Sequence, residues 1–374
     1  MKDLKKYIAL GLCAILTVTG GVLSANAKTV QVEVGAGNGK SEKVETVEEF
    51  ADAWEAAGEL LLGITDNENV SVDLCASKLA DESAKKYTSV TIALESQSSS
   101  RNYTQIGDGS TTTRSVMDRT MTCSFTETES YYNVDATIYN YTNRSYGENW
   151  EDKTTTMDMC FEMYLNKAEG HSAIRFDRFN MSEIVKNKDG EKDNSGSFAS
   201  MNALVDVLEG KWLSSEMIGG ENIFQMVNAS NYTVFEIFGK YLDMQDQEGV
   251  FAKSGKTYTL NEEYADAMLF ELVGSVIGGA SITGVEEESG EDNPLEGFSM
   301  IFKADLSVAT QPKLNCIYSV DYYWGDLQFA TFERQNFVLK NINNTVIKNA
   351  PTKADLITEA ELQKMMQNLG KEGK

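Results

Sequence analysis

The stretch from Phe298 to Ala350 constrains the fold most, because it reads as four consecutive extended segments. In the first segment one face carries Phe298, Met300, Phe302, Ala304 and Leu306. Alternation with period two is typical of a half-buried strand. Turns at 310–313 and 325–326 lead to segments 314–324, 327–334 and 337–348, and such short connections favour antiparallel neighbours. The stretch therefore predicts a meander whose apolar face must be covered by protein or by a ligand.

The first half of the chain predicts about five more strands of the same kind. Period-two patterns occupy 87–94, 121–125, 132–138, 157–165 and 172–179. The clearest of them places Met157, Met159, Phe161, Met163 and Leu165 on one face. Residues 96–115, rich in Ser, Thr and Gly, predict a long loop, and the charged residues 187–196 predict another.

Helical patterns flank these strands. Thr46 to Glu49 form a capping box, behind which Phe50, Trp54, Ala57 and Leu61 recur at helical spacing. Segments 198–208 and 261–276 are also helical in pattern, whereas 223–241 fits either a helix or a strand. No Pro/Gly/Ser linker separates the two strand-rich halves, so the order of elements favours one continuous sheet over two domains.

The N-terminus predicts export. Lys2, Lys5 and Lys6 precede an apolar run at 7–18, and Ala25 to Ala27 form an A-x-A site, so residues 1–27 are expected to be a signal peptide cleaved after Ala27. The expected product is secreted or associated with the cell envelope. It would have a flexible lead-in at 28–45, a single domain at 46–351 and a tail at 352–374. No second apolar run is long enough to span a bilayer.

The charge and the rare histidine narrow the classes of function. A formal net charge of −24 argues against nucleic acid and anionic lipid headgroups as electrostatic partners. His171 is the only histidine and is expected at a surface turn, and no G-x-S-x-G motif is present. Asp189, Glu191 and Asp193 alternate as in a calcium loop, but the positions that need Gly and Glu hold other residues, so a solvated loop is expected. We therefore expect no catalytic site, no metal and no cofactor.

Four cysteines remain after the predicted cleavage, at Cys75, Cys123, Cys160 and Cys316. They allow three complete disulfide pairings, among which the sequence does not choose. Because each lies in or beside an apolar run, buried free thiols are an equal alternative.

The chain has fifteen methionines, several of them on predicted apolar faces. Methionine is flexible and polarisable, so it suits surfaces that fit irregular apolar shapes, although it also fills ordinary cores. If the sheet holds a ligand, the expected contacts are the strand residues Met159, Phe161, Met163, Met300 and Phe302 as its wall, with Met268 and Leu272 as lid residues on a helix.

The order of elements resembles the bacterial LolA/LppX-type lipoprotein-carrier fold. An N-terminal helix, a run of antiparallel strands, mid-chain helices and a closing run of strands occupy most of 46–351. The resemblance implies an α+β fold in which a large curved antiparallel sheet, a half-barrel, holds the helices on its concave face. It also implies binding of an acyl chain or another lipid between sheet and helices. The long acidic loops and the lack of a lipobox depart from the family and argue against shuttling between membranes.

A second function is compatible with the same sequence. In this alternative the core is dry, and the chain is a cell-surface adhesion module that binds a protein or a glycan. The expected contact surface is then an exposed aromatic patch made of Tyr131, Tyr132, Tyr322, Tyr323 and Trp324.

Overall fold

The computed structural model describes residues 32–62, 87–166, 168–214, 234–276, 295–324 and 327–372. The predicted signal peptide, Cys75 and the turn at 325–326 lie outside these ranges. Within these ranges there are five α-helices: α1 (Val47–Leu62), α2 (Ala199–Leu208), α3 (234–243), α4 (Glu262–Val276) and α5 (Glu359–Glu372). The strands are β1 (Glu33–Ala36), β2 (Ser89–Ile106), β3 (Gly109–Thr126), β4 (Glu129–Tyr146), β5 (Asn149–Asn166), β6 (His171–Asn187), β7 (Gly190–Asp193), β8 (Trp212–Ser214), β9 (Phe251–Ser254), β10 (Thr257–Leu260), β11 (Leu295–Asp305), β12 (Lys313–Trp324), β13 (Leu327–Lys340), β14 (Thr345–Lys348) and β15 (Leu356–Ile357).

One large sheet joins the two strand-rich halves of the chain. Its order is β15-β8-β6-β5-β4-β3-β2-β13-β12-β11-β10-β9, with β7 paired to β6. The halves meet where β13 runs antiparallel to β2, with Phe337 opposite Leu94. All neighbours pair antiparallel except β15 and β8. The path ends at β15 on one side and β9 on the other, so the sheet is open. The fold is therefore α+β with one continuous, largely antiparallel sheet, as the sequence predicts.

Two segments that the sequence predicts as loops are strand instead. Residues 96–115 form most of the β2–β3 hairpin, which turns at Gly107 with a φ of 60°. Four of the strands in this half, β2 to β5, are 18 residues long, about 60 Å at the usual rise. Their far ends are polar on both faces because neither face is covered there, so the alternation that reveals a half-buried strand is missing. Likewise, much of 187–196 is the hairpin strand β7.

The closing meander has three strands in the large sheet rather than four. The segments expected at 327–334 and 337–348 are joined, because β13 continues without a break to Lys340. The chain then turns through Asn341 and Asn343, whose φ angles are 52° and 56°. Asparagine tolerates this left-handed conformation better than most residues. Beyond the turn, β14 leaves the large sheet and pairs with β1.

The fold extends beyond both predicted domain boundaries. In the expected lead-in, β1 pairs with β14, and Val32 and Val44 are buried. In the expected tail, β15 pairs with β8 and Leu362 of α5 is buried in the main core. Segments on either side of 46–351 therefore belong to the same folded structure.

The helices pack against one face of the sheet and form the main core with it. Trp54 of α1 lies edge-on to Phe337 of β13, with ring centroids 5.2 Å apart, and its indole nitrogen donates to the carbonyl of Phe235 at 3.1 Å. Phe238 of α3 contacts Phe302 of β11 at 5.1 Å. The capping box holds the start of α1, because the hydroxyl of Thr46 accepts from the backbone N–H of Glu49 at 3.1 Å. Among the described residues, no helix has the length and hydrophobicity needed to cross a bilayer.

Candidate functional site

The seven predicted contact residues are all buried in the main core. Met159, Phe161 and Met163 lie on β5, Met300 and Phe302 on β11, and Met268 and Leu272 on α4. Because α4 packs on β11, the last four form one neighbourhood. Five strands separate β5 from β11, a distance of about 30 Å along the sheet at the usual strand spacing. The two groups therefore line different parts of the core, and their roles toward a ligand stay a prediction.

The aromatic patch of the alternative function does not form as predicted. Tyr131 and Tyr132 are buried, and as neighbours on one strand they point to opposite faces of the sheet. Tyr132 packs on Phe125 in the main core, with centroids 5.7 Å apart. Tyr131 belongs to a second, smaller core on the other face, which also contains Trp212. The side chains of the other three members lie outside the described part of the chain.

His171 is also buried rather than on the surface. Its Nε2 lies 3.0 Å from the carbonyl oxygen of Pro351, and its Nδ1 lies 3.5 Å from a carboxylate oxygen of Glu169. The ring therefore joins the start of β6 to the segment after β14. Of the cysteines, Cys123, Cys160 and Cys316 are buried free thiols.

A cavity that was not predicted from the sequence lies between α3 and strands β2, β3 and β13. Its volume is about 30 Å³, enough for one water molecule. The lining residues are Ile92, Leu94, Arg119, Met121, Cys123, Phe125, Tyr132, Val234, Phe235, Gln335 and Phe337. The lining is thus largely apolar, with a guanidinium and an amide on one side.

Arg119 is the charged residue that faces this cavity. Its side chain is only 8% exposed and lies on the same face of β3 as Met117, Met121 and Cys123. Within the described part of the chain its Nε finds no hydrogen-bond acceptor, and the buried hydroxyl of Ser96, directly opposite on β2, finds no partner either. Burial lowers the pKa of Arg119, while the charge of Glu333 opposes that shift. An incompletely paired guanidinium therefore sits inside the core.

Glu333 lies on the same face of the sheet, in the row next to that of Arg119, Ser96 and Gln335. It is fully buried on β13, opposite Ser98 on one side and Tyr318 on the other. Gln335 donates its amide N–H to one carboxylate oxygen at 2.5 Å, and the hydroxyl of Tyr318 donates to the other. These donors hold the carboxylate in place within an otherwise apolar layer.

The second core carries a buried ion cluster with a different character. Arg175 lies 3.0 Å from Glu162 and 3.2 Å from Asp177, and its guanidinium stacks 5.2 Å from the Trp212 ring. Burial raises the pKa of Glu162 to about 7, against the attraction of Arg175. The Nε of Arg175, like that of Arg119, makes no well-directed hydrogen bond. The difference is that the Arg175 guanidinium has two carboxylates and an aromatic ring beside it.

Arg119 and Glu333 stand out in the sequence as charged residues in phase with an apolar strand face, but only once the strand boundaries are known. Arg119 interrupts the run Met117, Met121, Cys123 on one face, and Glu333 precedes Phe337 and Leu339 at the same parity. A charged residue in phase with an apolar face is a candidate for a functional position, because burial of an isolated charge is costly.

Comparisons with known proteins assign neither a family nor a function. No family model matches the chain, and the search of curated proteins found no match. Among solved structures, the translocator domain of the autotransporter NalP from Neisseria meningitidis is 7% identical, covering 78% of this chain and 97% of that one, with a TM-score of 0.12. A likeness this low carries no argument about fold or function.

Proposed function

We propose that this chain is an exported, non-enzymatic binding protein that holds an apolar ligand, a lipid or an acyl chain, between its sheet and its helices. The observation that carries the proposal is the cavity under α3, where the layer of helices and the sheet leave a space lined mainly by apolar side chains. In this proposal the open sheet is a half-barrel of the LolA type and the helices occupy its concave face. Export by the predicted signal peptide is part of the same proposal.

An acyl chain needs more room than the cavity offers in this state. Small-molecule sites usually measure about 300–1,000 Å³, whereas this cavity measures about 30 Å³. Met121 of β3 lines the cavity. Because an unbranched methionine side chain changes rotamer readily, we expect the ligand to enter by displacing it. Each 100 Å² of ligand surface removed from water would contribute about 2.5 kcal/mol before the cost of repacking.

A pair of cysteine variants tests the location of the ligand. Cys123 lines the cavity, whereas Cys316 is equally buried on the same face of the sheet but does not line it. Displacement of a fluorescent fatty acid should show weaker binding for Cys123→Leu, because the larger side chain occupies the cavity. Cys316→Leu is the matched control, with thermal unfolding measured for both variants. Equal binding by the two variants, both folded, would place the ligand elsewhere.

For the adhesion alternative, the candidate binding surface differs from the aromatic patch expected from the sequence. At the end of the β4–β5 hairpin, Tyr146 and Trp150 are 55% and 41% exposed and border a groove of about 350 Å³. Lys188 in the adjacent turn donates to the side-chain oxygen of Asn149 at 2.7 Å. Exposed aromatic rings beside polar groups suit the stacking of sugar rings. Glycan-array binding that is lost in Trp150→Ala would favour this alternative.

A further inference from the structure

We infer that the ligand in the core carries a carboxylate, and that Arg119 together with Ser96 forms the site for this head group. The inference rests on the proposed function, because it concerns a ligand held between the sheet and α3. It goes further by naming the chemical class of the ligand, a long-chain carboxylic acid. Arg119 lines the cavity, and Ser96, which does not line it, is the direct neighbour of Arg119 across β2 and β3.

The main support is the incomplete pairing of Arg119. A buried guanidinium presents five N–H donors, and native proteins leave few such donors without an acceptor. Here the side chain is more than nine-tenths buried, borders a cavity, and has no described acceptor at Nε. The hydroxyl of Ser96 is 1% exposed and also lacks a described partner. Two polar groups that lack partners at the same point of a core indicate that the missing partner is a ligand.

The chemistry of the surrounding groups favours a carboxylate over other acceptors. A guanidinium matches the planar fork of a carboxylate and can donate to both of its oxygens. Glu333 attracts Arg119 but already accepts hydrogen bonds from Tyr318 and Gln335. Burial raises the pKa of Cys123 to about 12, so its thiol adds no competing negative charge. Because Glu333 offsets part of the positive charge, a singly charged head fits better than a doubly charged phosphate monoester.

The apolar lining gives the direction in which the acyl chain of the ligand runs. From the row of Arg119, Ser96 and Gln335, the cavity-lining residues toward one end of the strands are Leu94, Met121, Cys123, Phe125 and Phe337. In the opposite direction the next row contains Ser98 and Glu333. We therefore place the head group at Arg119 and the tail along β3 toward Phe125, a path on the order of 20 Å at the usual rise per residue.

Matched ligands of one chain length test the inference. Purified full-length chain, stripped of lipid by organic extraction, is titrated with hexadecanoic acid, its methyl ester and hexadecanol. The acid should bind at least about tenfold more tightly than the ester or the alcohol, as a hydrogen-bonded charge predicts. Arg119→Met should lower the affinity for the acid until the three ligands bind alike. Arg119→Lys keeps the charge, so it should retain part of the preference and serves if the methionine variant does not fold.

The outcomes separate this inference from the proposed function. If the wild-type chain binds all three ligands with equal affinity, or Arg119→Met keeps the preference for the acid, the carboxylate site is refuted while the apolar site stands. If none of the three ligands binds, the proposed function fails and the inference fails with it. If the chain binds hexadecyl phosphate more tightly than hexadecanoic acid, the inference of a singly charged head group is refuted.

Discussion

Replacement of the buried charges of Arg119 and Glu333, which attract each other, by neutral residues should stabilise the protein. In the variant Arg119→Met with Glu333→Gln, the methionine replaces a buried guanidinium whose Nε lacks a described acceptor, and the glutamine keeps the shape of a fully buried carboxylate. Exchanging a buried charge pair for uncharged groups of similar size is often neutral or stabilising by about 1–4 kcal/mol. Removing one unsatisfied buried donor contributes about 1–3 kcal/mol of this. We expect a gain of about 1–3 kcal/mol in the free energy of unfolding.

The single variant should behave in the opposite way. Arg119→Met alone removes a positive charge that attracts the buried Glu333. Removing one member of a buried charge pair typically costs about 3–5 kcal/mol when nothing else compensates. Here Tyr318 and Gln335 still donate to the carboxylate, so the loss should be smaller than that range. Urea denaturation followed by far-ultraviolet circular dichroism measures both changes on the same chain.

The second core provides the matched control for this experiment. Arg175→Met with Glu162→Gln removes a guanidinium that also contacts Asp177 and stacks on Trp212. Because those partners lose their contacts, we expect this double variant to be less stable than the wild type. If the double replacement of Arg119 and Glu333 also destabilises the protein, then Arg119 has a structural role like that of Arg175. That result would refute the inference that Arg119 binds a ligand.

Two further predictions concern the cores. Trp54→Ala should cost about 3–5 kcal/mol in the free energy of unfolding, because this fully buried ring joins α1, α3 and β13; urea denaturation would show otherwise if the midpoint hardly moved. Glu162→Gln should remove a pH dependence of stability. Since burial raises the pKa of Glu162 from 4.5 to about 7, its contribution is fully present below pH 4.5 and is lost as the pH rises through about 7, by up to about 3 kcal/mol. The melting temperature of the variant should therefore fall less than that of the wild type as the pH rises over this range. Equal slopes of melting temperature against pH would contradict the assignment of the titration to Glu162. The groups that face Glu162 are Arg175, Asp177, Tyr131 and Asn133.

Strands that are covered on one face could be read from the sequence. The alternation at 157–165 and in the segment from Phe298 onward found β5 and β11, because the apolar residues of each strand lie on the face that forms the main core. The absence of a linker between the two strand-rich halves predicted a single sheet, in which β2 and β13 join those halves. Periodicity failed at 96–115 because the buried positions there, Ser96 and Ser98, are polar, and because most side chains beyond them are at least partly exposed.

Features that depend on distant segments could not be read in this way. Pairing of β1 with β14 involves strands of four residues about 300 positions apart, and no local pattern encodes it. The exposed patch expected at Tyr131 and Tyr132 does not form, because the main core buries Tyr132 and a small second core covers Tyr131 on the other face of the sheet. The site at Arg119 requires the register of three strands and the position of α3, so it emerges only from the assembled sheet.

Native mass spectrometry before and after organic extraction decides whether this chain holds a lipid. We expect the purified chain to carry a lipid-sized adduct, to lose it on extraction, and to take up one hexadecanoic acid afterwards. A chain that is free of ligand when purified and takes up no fatty acid after extraction would refute the binding function.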